Sequence, residues 1–163
     1  MSAGVPTAAA AQPPASAVDE AHMRRALEAA RRAGLAGEPP IGAALVRDGE
    51  VLATASNCVI SQLDITAHAE IMLIREACRR ARTLDLSGCT LYASVEPCPM
   101  CLAASHYARI ARVVFGASLE DLNALTGGEM LERPAAAGLQ LSGGCLRAES
   151  LALLRGWAGG GAA

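Results

Sequence analysis

Two short segments constrain this chain more than any other feature, because each carries metal-binding side chains. The first contains His68 and Glu70, which are separated by one residue. The second contains Cys98, 30 residues after His68, and Cys101, three residues further on. Histidine nitrogen and thiolate sulfur are ligands that zinc prefers, and a catalytic zinc site uses three protein ligands and one open position. The fold is therefore expected to bring both segments together around one metal ion.

The spacing of these residues also predicts their local structure. Two cysteines three residues apart lie on one face of a helix. In a helix interior the side chains of His68 and Glu70 would diverge, so we expect them at a helix N-terminus. Thr66 is the predicted cap, and the apolar stripe of the helix begins at Ile71. The sequence therefore predicts that two helix N-termini meet at the metal, where the helix dipole favours thiolates.

Each segment alone is compatible with other roles. A lone C-x-x-C is found in redox pairs and in halves of structural zinc sites. A structural site needs a fourth ligand, for which Cys58 and Cys89 are candidates without supporting spacing. A redox pair leaves His68 without a role, and Glu70 alone could simply complement the helix dipole. Both segments together favour a catalytic zinc site, whereas His106, which lacks a partner, is assigned to packing or hydrogen bonding.

The hydrophobic pattern alternates between helical and extended segments. The predicted elements are a helix through Met23 and Ala30 that ends near Gly34, strands Ile41–Arg47 and Val51–Ser56 joined by Asp48-Gly49, a helix from Ile71 to Ala81, a strand Cys89–Val95, a helix Pro97–Ile110, a buried strand Val113–Ala117, a short strand Gly138–Leu141 and a helix Leu146–Trp157. This order predicts an α/β fold, a three-layer α/β/α sandwich with a mixed central sheet of about five strands.

Length and composition narrow the class of protein further. The 163 residues suffice for one domain, predicted at 18–158 between a disordered leader at 1–17 and a flexible tail at 159–163. A net charge of −2 and the absence of lysine argue against a general nucleic-acid binder. The chain has no apolar run long enough to span a membrane and no export signal. Six cysteines without such a signal then predict a reducing, cytoplasmic location.

Taken together, the segments around His68-x-Glu70 and Pro97-Cys98-x-x-Cys101 resemble the signature of the cytidine deaminase superfamily. The likeness extends from about residue 19 to residue 157. Three further stretches resemble the branch that holds bacterial tRNA adenosine deaminases, guanine deaminases and fungal cytosine deaminase: residues 37–43, 66–72 and 112–117.

The resemblance implies a role for each matching residue. His68, Cys98 and Cys101 would bind Zn²⁺, which makes hydroxide available near neutral pH. Glu70 would carry protons from the water to the ring nitrogen and then to the leaving amine. The base or ribose would contact Asn57 and the backbone amide beside Ala69, although asparagine is also common where a strand turns. The resemblance further implies a homo-oligomer, expected to be a homodimer.

The substrate is predicted from the segment after the strand at 113–117. Residues 118–129 contain Glu120, Asp121 and Glu129, and acidic side chains repel a phosphate backbone. A small nucleobase or nucleoside, with a guanine-like purine first, is therefore the favoured partner. The alternative is adenosine-to-inosine editing of tRNA, because residues 138–157 resemble the tRNA enzymes. A non-catalytic zinc-binding module is a third reading, which leaves Glu70 without a use.

Overall fold

The computed structural model describes residues 16–126. In chain order its elements are α1 (Ala17–Leu35), β1 (Gly42–Arg47), β2 (Glu50–Ser56), α2 (Val59–Gln62), α3 (Ala69–Ala81), β3 (Thr90–Val95), α4 (Pro99–Tyr107), β4 (Arg112–Ala117) and α5 (Leu119–Thr126). The predicted strand at 138–141, the predicted helix at 146–157 and the predicted tail lie outside the described residues. Within residues 16–126, no helix is both long enough and apolar enough to cross a membrane.

The described strands form one mixed sheet in the order β2-β1-β3-β4. β1 pairs antiparallel with β2 and β3, and β3 pairs parallel with β4. Because side chains alternate between the faces of a strand, β1 contributes to two cores. Ala43 and Leu45 pack with α3 on one face, and Ala44 and Val46 pack with α1 on the other. With α4 packed against α3, this arrangement confirms the α/β/α layers and the mixed sheet, of which four strands are described.

The turn between β1 and β2 explains why these strands pair as predicted. Asp48 and Gly49 both have positive φ angles, 52° and 81°. Positive φ at both central residues defines the turn whose twist matches an antiparallel hairpin, and Asp-Gly is a favoured sequence for it. The predicted hairpin is therefore confirmed, and it places the end of β2 beside the start of α3.

Some local predictions differ from the structure. Ser16 and Ala17 were expected in the leader, but α1 begins at Ala17, with Ser16 and Asp19 forming a reciprocal capping box. The strand predicted as buried at 113–117 is β4, which is half-buried to exposed because it lies at an edge of the described sheet. The helices α2 and α5 were not predicted, because four and eight residues carry too little periodicity to register.

An ion pair with one buried partner joins α1 to the sheet. Asp19 is only 5% exposed. Its carboxylate accepts two hydrogen bonds from the Arg112 guanidinium, at 2.7 and 3.1 Å, and one from the Tyr92 hydroxyl at 2.9 Å. These donors, Arg112 foremost, hold the pKa of the Asp19 carboxyl well below its usual value. The first helix is thereby attached to β3 and β4.

Replacing Arg112 with methionine is expected to lower the free energy of unfolding by about 2 kcal/mol at pH 7, through loss of charge-assisted hydrogen bonds. The Arg112 side chain is half-exposed, so the loss stays below that of a fully buried pair. Because the folded-state pKa of Asp19 is lowered, the stabilisation is present above the unfolded pKa of about 3.9 and is lost as the pH falls below it. Thermal unfolding should show a difference in Tm between the wild type and Arg112→Met that is smaller at pH 3 than at pH 7.

The matched control is Arg109→Met, which removes an exposed arginine. Arg109 pairs with Asp85 at 3.3 Å, and their side chains are 73% and 45% exposed. Exposed pairs of this kind contribute about 0.2–1 kcal/mol. Equal losses in the two variants would contradict the structural role assigned to Asp19 and Arg112.

Candidate functional site

Two helix N-termini meet at the predicted metal centre. His68 is the N-cap residue of α3, and Cys98 is the N-cap residue of α4. Neither side chain forms a capping hydrogen bond to its own helix, so both are available to a ligand. The prediction that Thr66 caps α3 is wrong, because its hydroxyl and backbone N–H both donate to the Asp64 carboxylate, at 2.7 and 2.8 Å. That local turn places His68 at the start of the helix.

The three predicted ligands converge. Nδ1 of His68 lies 3.7 Å from Sγ of Cys98 and 3.6 Å from Sγ of Cys101, and all three atoms lie within 4.8 Å of one another. Tetrahedral zinc, with Zn–N of about 2.0 Å and Zn–S of about 2.3 Å, separates a nitrogen and a sulfur ligand by about 3.6 Å. These residues therefore fit a zinc ion. Cys98 lies just before α4 and Cys101 lies in its first turn. Their thiols therefore converge at the start of this helix.

No fourth ligand is found among residues 16–126. Cys89 is buried in the core against α3. The Cys58 thiol faces the carbonyl oxygen of Ala67 at 3.8 Å instead of the metal group. His106 is exposed and lies edge-on to Tyr107, with ring centroids 5.9 Å apart. Cys145 lies outside the described residues. Three ligands with one open position suit a catalytic site better than a structural one.

The ligand side chains also perturb one another's protonation. The pKa of the Cys98 thiol is lowered to about 4, first because the Cys101 thiol donates to it and then because His68 lies beside it. The pKa of His68 is raised, chiefly by its hydrogen bond with Cys98. The pKa of Cys101 is raised, because its proton is held by Cys98 and its thiol is buried. The thiolate is the form that binds a metal, and Cys98 is predisposed to it.

Glu70 lies in the first turn of α3 and is only 3% exposed. Its Oε2 has no hydrogen-bond partner in the described part of the chain. Burial raises the pKa of this carboxyl, and the nearby Cys98 raises it further. Glu70 lines a small cavity together with His68 and Cys98. A carboxyl with these properties can hold and release a proton beside the metal ligands.

Asn57 and Ala69 are buried but do not line this cavity. Oδ1 of Asn57 accepts a hydrogen bond from the Val59 N–H at 3.1 Å. Within residues 16–126, the side-chain amide of Asn57 donates none, so it is available as a donor. Ala69 is the first residue of α3, and an amide at that position has no acceptor within its own helix.

Sequence reasoning missed the residues that surround these groups. Glu38 is buried, and its carboxylate accepts from the N–H groups of Ile60 and Ser61 at 2.9 and 2.7 Å, which fixes α2 directly after Asn57. Oε2 of Glu96 accepts from the Leu119 N–H at 2.9 Å, which fixes the start of α5. Only the position of Glu96 beside the cysteine motif could have been noticed in the sequence.

The helix α5 forms part of the wall of the cavity, through Leu119 and Leu122. The remaining lining residues are Ile41, Val95, Glu96, Leu119 and Leu122. The segment that follows β4 therefore borders the site, as the sequence predicts. Asp121, however, belongs to the cap of this helix: the Ser118 hydroxyl accepts from the Asp121 N–H at 3.0 Å, and the Asp121 carboxylate accepts from the backbone N–H and the hydroxyl of Ser118 at 2.8 and 2.9 Å. At least one acidic side chain of the segment thus has a structural role.

Comparison with known proteins relates this site to a family. Residues 16–117 match the family model described as the cytidine and deoxycytidylate deaminase zinc-binding region. The tRNA-specific adenosine deaminase of Bacillus subtilis is 46% identical over 99 residues, 61% of this chain and 62% of that protein. Its counterpart in Aquifex aeolicus is 47% identical over 98 residues, 60% of this chain and 65% of that protein. The match thus spans less than two thirds of either relative.

The guanine deaminase of Bacillus subtilis is also similar. It is 45% identical over 89 residues, which are 55% of this chain and 56% of that protein. The solved structure of a Bacillus subtilis guanine deaminase superposes over 86% of this chain and 93% of that chain, with 34% identity and a TM-score of 0.76. The fold of the described residues is therefore shared with a guanine deaminase over most of its length.

Proposed function

This chain belongs to the cytidine and deoxycytidylate deaminase family defined by that zinc-binding region, and on this premise we propose that it is a zinc-dependent hydrolytic deaminase of a purine base. The supporting observation is the convergence of three metal ligands beside a buried, unpartnered carboxyl. His68, Cys98 and Cys101 would hold the ion. When bound there, zinc lowers the pKa of water towards neutrality.

Glu70 is the proposed catalytic residue. Its burial favours the protonated form, so the carboxylate is a better base than an exposed one would be. It takes a first proton from water and gives it to a ring nitrogen as the water oxygen bonds to the ring carbon. It then moves the second proton from the added hydroxyl to the amine, so that the C–N bond breaks and ammonia leaves. The side-chain amide of Asn57 and the first backbone amide of α3, at Ala69, are proposed to bind the base.

Adenosine in tRNA is the substrate that we place first, in place of the free guanine-like purine favoured by sequence reasoning. The two tRNA-specific relatives match 99 and 98 residues at 46% and 47% identity, against 89 residues at 45% for the guanine deaminase. The acidic segment also argues less strongly against RNA, because Asp121 is bound to Ser118 at the start of α5, where its negative charge complements the helix dipole.

Free guanine is the second candidate, and one observation favours it. The solved guanine deaminase superposes over 93% of its own length, with a TM-score of 0.76. The cavity beside the metal ligands is small, and a free base needs less room than a nucleotide with its ribose and phosphates in a stem-loop.

The test is ammonia release and product identification with the zinc-loaded protein. The panel contains guanine, guanosine, adenine, adenosine, cytosine, cytidine, ammeline and a tRNA anticodon stem-loop. Inosine formed only in the stem-loop would support the first candidate, and turnover of guanine without the stem-loop would support the second. A zinc-loaded protein inactive on the whole panel would count against the deaminase and favour the non-catalytic zinc-binding module.

Asn57→Asp is a second test, because it keeps the oxygen that accepts from the Val59 N–H while it replaces the amide donor with a carboxyl oxygen. If that donor binds the base, kcat/KM should fall by roughly 10-fold or more, with the zinc content unchanged. Steady-state kinetics on the active panel member and metal analysis measure both quantities. An unchanged kcat/KM would assign Asn57 to the turn after β2 alone.

The oligomeric state and the cellular location of the protein stay predictions. A homodimer and a cytoplasmic location were expected from the resemblance and from the cysteine content, and we retain both as proposals. Sedimentation of the purified protein measures the oligomeric state directly.

A further inference from the structure

Glu96 joins the metal-binding segment to the wall of the cavity. It lies two residues before Cys98, and the partner of its side chain, at the start of α5, is 23 residues away in sequence. Oε2 of Glu96 accepts a hydrogen bond from the Leu119 N–H at 2.9 Å, and the Glu96 N–H donates to the Ala117 carbonyl at 2.8 Å. The main chain and the side chain of one residue therefore both bind the segment that leads from β4 into α5.

The backbone of Glu96 is a rigid anchor for this contact. Its N–H bond extends the parallel pairing of β3 with β4, which ends at Val95 and Ala117. Pro97 follows, and a residue before proline is restricted to extended backbone conformations. The Pro97 side chain is itself fully buried. A carboxylate attached to such a backbone has few positions available, so it can hold another element in place.

The helix that Glu96 binds is short. α5 has eight residues, and an isolated helix of that length is marginal in water. The N–H groups of its first turn have no acceptor within the helix. The Ser118 hydroxyl accepts from the Asp121 N–H at 3.0 Å, and the Glu96 carboxylate accepts from the Leu119 N–H. A carboxylate at this end also complements the helix dipole. α5 therefore depends on Glu96 for part of the capping that a short helix needs.

The position of α5 affects the site directly, because Leu119 and Leu122 line the same cavity as His68 and Glu70. Glu96 lines this cavity as well. The cavity is small, so a shift of the Leu119 end of the helix changes the fit of any base that enters it. Misplacement of a group by about 1 Å can lower activity by about 10²-fold.

We propose that Glu96 is a positioning residue for the substrate: it holds the Leu119 end of α5 at the cavity and thereby determines how tightly the base fits beside the metal ligands. The proposal rests on the proposed function, because it concerns the substrate of that same site. Glu96 acts through α5 and carries no proton in the reaction. Its contribution therefore belongs to the binding of the base and not to the bond-breaking steps.

The experiment compares Glu96→Ala with Glu96→Gln in the zinc-loaded protein, well below the Tm of each variant. Alanine removes the acceptor of the Leu119 N–H, whereas the amide oxygen of glutamine can replace it. Glu96→Ala should raise KM on the active panel member by roughly 10-fold and change kcat by less than about 3-fold, as expected for a lost contribution to binding. Glu96→Gln should keep KM within about 3-fold of the wild type. Steady-state kinetics measure these quantities, and metal analysis should show a full equivalent of zinc in both variants.

The matched control is Glu120→Ala, the same substitution in the first turn of α5. Glu120 is exposed and is not among the residues that line the cavity, so its loss should leave KM unchanged. A wild-type protein that deaminates a panel member, combined with an unchanged KM in Glu96→Ala, overturns the proposal while the proposed function stands. Equal losses in Glu96→Ala and Glu96→Gln would assign the effect to the charge or the proton of Glu96, and loss of zinc would assign it to the metal site. Either result would also overturn the proposal.

Amide hydrogen exchange tests the same contact without a substrate. The amides of α5 should exchange roughly 5–10-fold faster in Glu96→Ala, because loss of a cap makes local opening of the helix easier. The amides of α3 should exchange at the wild-type rate, and Glu96→Gln should resemble the wild type throughout. Unchanged exchange of α5 in Glu96→Ala, or faster exchange spread over α3 as well, would overturn the proposal whether or not a panel member reacts.

Discussion

Glu70→Gln is expected to lower kcat by on the order of 10²–10⁴-fold and to leave zinc bound, because glutamine fills the same space but cannot accept or release the proton. Glu70 is not one of the three converging ligands. The fold should not suffer, since Oε2 of Glu70 is buried without a partner in the described region and a neutral amide removes the possibility of a buried charge. Turnover of the active panel member and the zinc content per chain measure the two effects.

The matched control for Glu70→Gln is Glu76→Gln, the same substitution on the same helix. Glu76 is partly exposed, pairs with Arg80 at 2.6 Å and is not among the residues that line the cavity. Its loss should change kcat by less than about 2-fold, in keeping with the small effects of exposed charge pairs. If Glu70→Gln kept wild-type turnover with zinc in place, the proton-transfer role would have to be reassigned.

Cys101→Ser is expected to abolish both zinc binding and turnover. A serine hydroxyl stays protonated at neutral pH and is a poor zinc ligand, so a three-ligand site becomes a two-ligand site. The zinc content should fall below roughly a tenth of an equivalent, and Tm should fall to that of the wild-type protein stripped with a chelator. Metal analysis and thermal unfolding, each with and without added zinc, provide the readouts.

The control for Cys101→Ser is Cys58→Ser. Cys58 was a candidate for a fourth ligand; it is partly buried, and its thiol faces a backbone carbonyl. The variant should keep a full equivalent of zinc. Zinc loss in Cys58→Ser, or zinc retained in Cys101→Ser, would mean that the metal is held by a different set of residues.

The chemistry of the site could be predicted because it depends on short-range spacing. His68 with Glu70, and Cys98 with Cys101, are each within three residues, so their side chains converge wherever a helix begins. The hairpin at Asp48-Gly49 was equally local, since its two residues alone supply the positive φ angles that the turn needs. The meeting of the two segments was an inference from the preference of zinc for three ligands, and their geometry agrees with it.

Contacts between distant parts of the chain could not be predicted. Arg112 and Asp19 are 93 residues apart, and Glu38 is 22 residues from the amide of Ile60 that it binds. No periodicity marks such pairs, because their partners are chosen by the packing of helices against the sheet.

The sequence by itself therefore determined the candidate ligand residues, the carboxyl proposed to carry protons, the hairpin and the alternation of helices and strands, all of which follow from the spacing of neighbouring residues. Only the tertiary structure decided that His68 and Cys98 are the N-cap residues, that α5 lines the cavity, and that Asn123 is buried without a partner in the described chain. Burial depends on contacts between segments that are distant in sequence, so the spacing of neighbouring residues cannot predict it.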